Sequence, residues 1–365
     1  MVSIPSPTSS TSKFHRASDH LSDHLMQHQT TNVIRNNSDC LENNNLDADW
    51  REKAEKELGE TCEIARSTLK QFRHLLRINQ ENVPSFGWRD DAFLLRFLRA
   101  KKFDVEKAYR MSVKYFRMKH QSPNLFRVSP PFAVQHILEM QMQCMMGVRD
   151  PCGRQLFIFR VEKCDPYRCS VENVFKTNVL SLESAVRCAE TQIAGVVVLL
   201  DMAGVSLGHS RFLSPQLARH TVEVVQDAFP LRFKAFHILH EPFYFDAILA
   251  VLKPFLREKI RKRIFLHGND LASLYRFLPQ EILPAEYGGL QPPFDNTTWR
   301  YEILNDAEYY ANLENYEIEN TAVPEIEVCT KAEAESMDFP DDETEDSEFE
   351  DATYNLDDPS PHSLQ

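Results

Sequence analysis

The stretch whose reading decides the fold is 240-HEPFYFDAILAVLKPFLREKIRKRIFLHG-268. Pro242 can open a helix, because a first-turn proline gives up no intrahelical hydrogen bond. From Phe243 to Leu256 that helix would be apolar on nearly every side, through Phe243, Tyr244, Phe245, Ile248, Leu249, Val251, Leu252, Phe255 and Leu256. A surface helix carries one apolar stripe, so this one is either buried or faces something greasy. Around and behind it come Lys253, Arg257, Lys259, Arg261, Lys262 and Arg263, with Glu258 the one acid among them. Grease beside a cationic cluster suits a lipid together with an anionic surface. A core helix followed by a solvated basic face is the plainer reading of the same residues.

Outward from this stretch the chain alternates strand and helix. Ala235 to Leu239 precedes it as a strand and Arg263 to Leu266 closes it as another. Val196 to Leu200 is five apolar residues in a row, as expected for a strand covered on both faces. Ser214 and Pro215 start a helix with Leu217, Thr221, Val224 and Ala228 on one side. Ser170 caps another whose stripe is Val171, Phe175, Val179, Leu182, Val186 and Ala189. Gln141 to Arg149 and Gln155 to Val161 read as a hairpin turned at Asp150 to Gly153. A helix from Asn269 or Asp270 runs to near Pro279, and Tyr287, Gly288 and Gly289 mark a turn near the end of the fold. The alternation predicts an α/β fold with a mainly parallel sheet and right-handed crossovers.

Residues 49–119 read as a small helical bundle. Ala65, Leu69, Phe72 and Leu76 step at helical spacing, as do Phe93 with Phe97, Leu94 with Leu98, and Ala108, Met111, Tyr115 and Met118. Asp90 or Asp91 and Asp104 are the caps. Residues 1–45 are rich in Ser, Thr, Asn and His and are expected to be disordered. His20, His24 and His28 would share one face of a helix, but nothing fixes a helix there and no metal site is assigned. Residues 301–365 hold 21 Asp and Glu against Lys331 alone. The first 300 residues are therefore basic, with 40 Lys and Arg against 33 acids, although the whole chain is at −13. The expected organisation is a disordered tail over 1–45, a helical bundle over 46–120, a sheet domain over 128–292 and an acidic, largely disordered tail over 300–365. That tail is a solubiliser, a docking site for protein partners or an intramolecular competitor for the basic cluster.

Several function classes drop out. Ten glycines, no two in G-x-G spacing and none before Lys-Ser or Lys-Thr, leave no phosphate-cradling nucleotide loop. Gly208, His209 and Ser210 lack the flanking glycines of a nucleophile elbow, and Asp201 with His237, His240 and Ser210 stands in the wrong chain order for a hydrolase. No enzyme and no catalytic residue is assigned. Eight cysteines without a C-x-x-C pair read as reduced thiols. No apolar run approaches the ~18 residues of a membrane span, and the N-terminus has no signal-type apolar block, which gives a soluble, cytoplasmic expectation. Zinc-finger spacing, RNP aromatics and a basic zipper are missing, so the basic character points to membrane and not to nucleic acid.

Taken together, FLLRFLRAKKFD (Phe93–Asp104), the Tyr109–Met118 helix, FHILHEP (236–242), KPFLREKIRKRIFLHGND (253–270) and LPAEYGG (283–289) resemble the CRAL-TRIO lipid-binding and transfer proteins. The match runs from about Asp49 to Trp299, and RKRIFLHGN (261–269) with GGLQPPFDNTTW (288–299) looks most similar to the clavesin and α-tocopherol transfer protein members. The resemblance implies a sheet flooring a lipid cavity, with no cofactor other than a bound hydrophobic lipid. On matching positions, Phe175, Val179, Leu182, Val196, Leu200, Phe229, Leu252 and Leu256 line it, and Phe243, Phe245, Ile248 and Leu249 belong to a gate helix. It further implies a phosphoinositide headgroup site at Lys101, Arg232, Lys234, Lys259 and Arg263. The implied partners are phosphoinositide membranes, with phosphatidylinositol 3,5-bisphosphate favoured, on endosomes or the trans-Golgi, and trafficking proteins on the acidic tail. A tocopherol or retinoid chaperone, or an adaptor keeping a structural lipid, is the alternative reading.

Overall fold

A computed structural model of the protein describes residues 46–79, 90–165, 167–212 and 214–314. The tail over 1–45, its three histidines and the acidic block beyond 314 lie outside the described residues. Four helices come first: α1 (Ala48–Leu58), α2 (Cys62–Ile78), α3 (Asp91–Ala100) and α4 (Val105–Gln121). Each begins where a short polar side chain takes up an orphan backbone N–H: Asp47, Thr61, Asp90 and Asp104. The buried face of α2 is the expected Ala65, Leu69, Phe72 and Leu76. In α3 every residue from Phe93 to Arg99 is buried. Phe97 sits edge-on to both Phe93 (5.4 Å) and Tyr115 of α4 (5.5 Å), the geometry that aromatic quadrupoles favour.

The sheet follows. Strand β1 (Gln143–Arg149) and β2 (Gln155–Arg160) form the antiparallel hairpin, turned at Gly153 with φ +77°. Next come α5 (Val171–Val186), α6 (Ala189–Ala194), β3 (Val196–Asp201), α7 (Pro215–Glu223), β4 (Phe233–Leu239), α8 (Phe245–Leu252), β5 (Ile264–Gly268) and α9 (Leu271–Tyr275). Strand order is β1-β2-β3-β4-β5, with β2 to β5 parallel. Each parallel neighbour is reached through a helical crossover, as parallel strands require. No helix among the described residues is long and apolar enough to cross a membrane.

Three details depart from the sequence reading. The apolar helix of the opening stretch is shorter than Phe243–Leu256. Pro242 accepts a turn bond from Phe245 N (2.8 Å) and does not enter the helix, and at the other end Pro254 lies in a 3-10 turn over Lys253–Phe255. A proline with no N–H and a ring against the preceding turn cannot continue an α-helix. Helix α7 runs on into a π turn over Val224–Ala228, which no residue pattern announced. Finally, the residues just beyond 300 are helical: α10 (Thr297–Asn305) and α11 (Ala307–Asn312) bury Ile303, Leu304 and Tyr310. Their acidic neighbours hid an apolar spacing that packs onto the fold.

Two buried ionic groups join the helical layer to the sheet layer. Arg99 of α3 donates to both oxygens of Glu60 (2.8 and 2.6 Å) and to Gln192 of α6 (2.7 Å). Glu183 of α5, fully buried, accepts the Tyr115 hydroxyl at 2.5 Å and is ion-paired with the Lys119 ammonium at 2.9 Å and Arg96 at 3.6 Å. Arg96 also donates to the Tyr309 hydroxyl of α11 (3.2 Å), which draws the C-terminal helices into the same network.

Candidate functional site

The two faces of the sheet are not equally filled. Period-2 alternation puts Leu156, Ile158, Val197, Leu199, Ala235 and His237 on one face, and all are buried. On the other face, two rows cross four strands: Phe157, Val198, Phe236, Ile264, and Phe159, Leu200, Ile238, Leu266. Here Phe159, Leu200, Phe236 and Ile264 stay partly exposed, although Leu200 and Phe236 lie on inner strands. Protein interiors are close-packed, so inner-strand apolar residues left partly uncovered mark room above them.

That face has a roof. Gln143, opposite Phe159 in the hairpin, donates to the Thr177 carbonyl (2.9 Å) and the Ser181 hydroxyl (2.6 Å), which fixes α5 on this side. On the β4 side α8 covers it: Phe245 clusters with Val161, Met202 and Ile238, and Leu249, Phe159, Leu200 and Ile264 all pack against that cluster. Tyr244 donates to the Val205 carbonyl (3.2 Å), and Phe243, its edge-on neighbour at 5.2 Å, is 100% exposed. Of the expected gate residues, Phe245 is thus inward, Leu249 half-buried and Phe243 outward, while the Ile248 side chain lies outside the described residues.

The expected lining residues divide in the same way. Leu200 sits in the open row, Leu252 and Leu256 are half-buried at the end of α8, and Phe175, Val179 and Leu182 are buried on α5. Val196 and Phe229 are fully buried, Phe229 with its ring 5.9 Å from that of Tyr115. Phe159, Phe236, Ile238 and Ile264 had not been singled out. Strand alternation was the signal that could have found them.

The five expected headgroup cations fall into two groups around internal acids. Arg232 and Lys234 flank the first residue of β4. Arg232 donates to Glu57 of α1 (3.2 Å) and to the Ile193 carbonyl, and Lys234 lies 3.5 Å from the same carboxylate. Arg263, just before β5, donates to the Phe233 carbonyl (2.7 Å), which places it beside that pair. Burial pushes the Glu57 carboxyl up. The Lys53 bond and the charges of Lys234 and Arg232 outweigh it and hold the group below its ordinary value. Lys101, at the C-cap of α3, belongs to the second group. Burial pulls its ammonium pKa down, Asp227 opposes this, and Arg257, Lys114 and Lys259 add to it. Asp227 itself pairs with Arg257 (2.9 Å) and Lys114 (3.6 Å). Lys114 is a member of this surface that the sequence reading passed over.

Asp201 and His240, weighed as catalytic in the sequence, do meet: His240 Nδ1 is 2.7 Å from Asp201 Oδ1. The other carboxylate oxygen accepts the Tyr287 hydroxyl (3.1 Å), and Ala203 N–H also donates to Oδ1 (3.0 Å). The carboxylate ties the end of β3 to the turn at Tyr287, and the Ser210 side chain lies outside the described residues. On the packed face, His237 Nδ1 is 2.9 Å from His267 Nε2, and His267 Nδ1 is 2.8 Å from the Ser273 hydroxyl. A bond between two ring nitrogens needs one donor and one acceptor, so at least one ring stays neutral. Burial, with the charges of His267 and Arg154 adding, pulls His237 down to about 3. Its contribution to stability is therefore complete above the unfolded value near 6.5 and is lost as pH falls toward 3. Urea titrations should show a loss of about 2 kcal/mol from this group between pH 6.5 and 5. His237→Phe should flatten that slope, and an unchanged slope would put the acid sensitivity elsewhere.

Comparison with known proteins places this geometry. The family model "CRAL/TRIO domain" matches residues 138–289, and "CRAL/TRIO, N-terminal domain" matches residues 68–114. Alpha-tocopherol transfer protein-like from Homo sapiens is 37% identical over 259 residues, covering 71% of this chain and 75% of that protein. Clavesin-2 from Rattus norvegicus is 34% identical over 295 residues, covering 80% and 89%. Clavesin-1 from Mus musculus is 35% identical over 262 residues, covering 71% and 73%.

Proposed function

The chain belongs to the CRAL/TRIO family, and from that premise we propose that it is a non-enzymatic lipid carrier. In this reading residues 128–292 hold one hydrophobic ligand over the open face of the sheet, braced by the helical layer of residues 46–120. Helix α8 is the gate: Phe245 and Leu249 close on the ligand while Phe243 meets the bilayer. Lys101, Arg232, Lys234, Lys259 and Arg263 take the headgroup of a phosphoinositide, phosphatidylinositol 3,5-bisphosphate by likeness to the clavesins, and so address the protein to endosomal or trans-Golgi membrane. The observation that carries the reading is the partly uncovered apolar row on inner strands beneath α8. The 37% identity to an alpha-tocopherol transfer protein-like relative supports a tocopherol as the cargo class. Mass spectrometry of the lipid extracted from purified full-length protein decides between that and other lipids, and an empty protein would count against a carrier.

The address is tested by co-sedimentation with phosphatidylcholine vesicles holding each phosphoinositide in turn. A cation near an anionic leaflet is worth about 1 kcal/mol. Arg232 and Arg263 already spend part of their bonding on Glu57 and on backbone carbonyls. Arg232→Ala, Lys259→Ala and Arg263→Ala together should therefore weaken binding at least ~10-fold, short of the ~100-fold that three fully available charges would give. Equal binding to every anionic vesicle, or no effect of the substitutions, would remove the headgroup site.

A further inference from the structure

The basic surface does not stop at the headgroup site. On α4, Arg110, Lys114 and Arg117 stand at i, i+4 and i+7 and form a stripe beside the seam of the buried Met111 and Met118. Arg110 and Arg117 are exposed, and Lys114 is half-exposed at 43% of its side chain. Through Asp227, Lys114 is joined to Arg257, in the neighbourhood of Lys101 and Lys259. The cations thus form a line along a helix leading into the headgroup cluster, a longer shape than one inositol ring fills.

The chain leaves the described fold beside the far end of this line. Glu314, the last described residue, accepts the backbone N–H groups of Val128 and Ser129 (3.1 Å to Ser129), shortly after α4 ends at Gln121, and lies within electrostatic reach of Lys119 on α4. Beyond it the sequence 338-DFPDDETEDSEFED-351 holds nine acids in fourteen residues. About 30 residues separate Glu314 from the middle of that block, a contour of up to about 100 Å. Helix α4, with 17 residues, is about 25 Å long. A tethered segment of this reach faces its target at an effective concentration in the millimolar range, ahead of any free acidic partner.

We propose that the acidic block at 338–351 docks on the α4 stripe and reaches the headgroup cations, so that the tail and a phosphoinositide compete for Lys101 and Lys259. The competition rests on the headgroup site proposed above; the tail contact does not. In the undocked protein the tail occupies the cations, and a membrane of sufficient phosphoinositide density displaces it, which restricts docking to the intended surface.

The contact is read without vesicles. Full-length protein carrying p-benzoylphenylalanine in place of Phe349 is irradiated at about 50 mM salt, where the screening length exceeds 10 Å. Intramolecular crosslinks should map to residues 105–121. They should be lost at 500 mM salt, lost in Arg110→Gln with Lys114→Gln and Arg117→Gln, and lost when Asp341, Asp342, Glu343, Glu345 and Asp346 become Asn or Gln. The tail variant leaves the folded layers untouched and so guards against a misfolded stripe variant. Crosslinks elsewhere, between two copies, or indifferent to charge would overturn the proposal. Competition is then read with phosphoinositide vesicles, which the tail-neutralised chain should bind about 10-fold more tightly than the unmodified chain. Equal binding by the two would overturn the competition. Loss of headgroup selectivity in both, with the crosslink intact, would instead strike the headgroup site and leave the tail contact standing.

Discussion

Glu183→Gln should destabilise the protein by about 3–5 kcal/mol, the cost of breaking a buried ion pair from one side. The Glu183 and Lys119 side chains are both fully buried, and Arg96 is nearly so. With the carboxylate gone, Lys119 loses its partner at 2.9 Å and Arg96 its partner at 3.6 Å, and two cations remain in the interior without the anion between them. Tyr115, whose hydroxyl pKa burial and the Glu183 charge push well up, keeps its proton and exchanges an anionic acceptor for a neutral amide oxygen. Three helices part company at that point: α4 carries Tyr115 and Lys119, α3 carries Arg96, and α5 carries Glu183. Urea unfolding of the ligand-free protein measures the loss. A drop below about 1 kcal/mol would mean that water enters and solvates the pair. The double substitution Glu183→Gln with Lys119→Met should recover part of the loss, because an apolar replacement removes the stranded charge as well as the bond.

The sequence carried the local part of this architecture and little of the long-range part. Asp90, Asp104, Ser170 and Ser214 are caps because a short side chain reaches a backbone N–H two or three residues ahead, a relation confined to one turn. The parallel order of β2 to β5 follows from alternation of strand and helix, which periodicity also shows. Glu60 with Arg99, or Glu57 with Arg232, is different: 39 and 175 residues separate the partners. Nothing local distinguishes either acid from a solvated one, so the five cations read as one open cluster when Glu57 already pairs with Arg232 and Lys234. Strand β3 hides its asymmetry for another reason. Val196 to Leu200 is apolar at every position, so composition cannot tell which face is packed and which is open; the register with Phe159 and Ile238 does. Pro254 was a legible stop inside the apolar helix, and the net charge of the tail outweighed the spacing of Ile303, Leu304 and Tyr310.

Leu200→Trp should abolish the co-purifying lipid, by 10-fold or more per mole of protein, while leaving the stability of the ligand-free chain close to its original value. Leu200 is the β3 member of the open row, between Phe159 and Ile238, and packs against the same cluster as Leu249 of α8. An indole there enters the space assigned to the ligand. In a filled core the same substitution would force neighbours off their rotamers and cost about 1–3 kcal/mol. Leu199 is the control: it is fully buried on the opposite face of the same strand, so Leu199→Trp should carry that penalty in full. Lipid content by mass spectrometry and unfolding midpoints by urea give the two axes of the comparison. If Leu200→Trp and Leu199→Trp cost the same stability and both retain lipid, the faces are alike and the ligand is not held against this row. If only Leu200→Trp empties the protein, its vesicle binding becomes informative too. Arg232, Lys234 and Arg263 stand at the amino-terminal ends of β4 and β5, whereas Leu200 lies near the carboxyl end of β3, so the emptied protein should still bind phosphoinositide vesicles if these cations hold the headgroup. Docking and loading would then be separable steps, joined through the single segment that carries both α8 and Lys259.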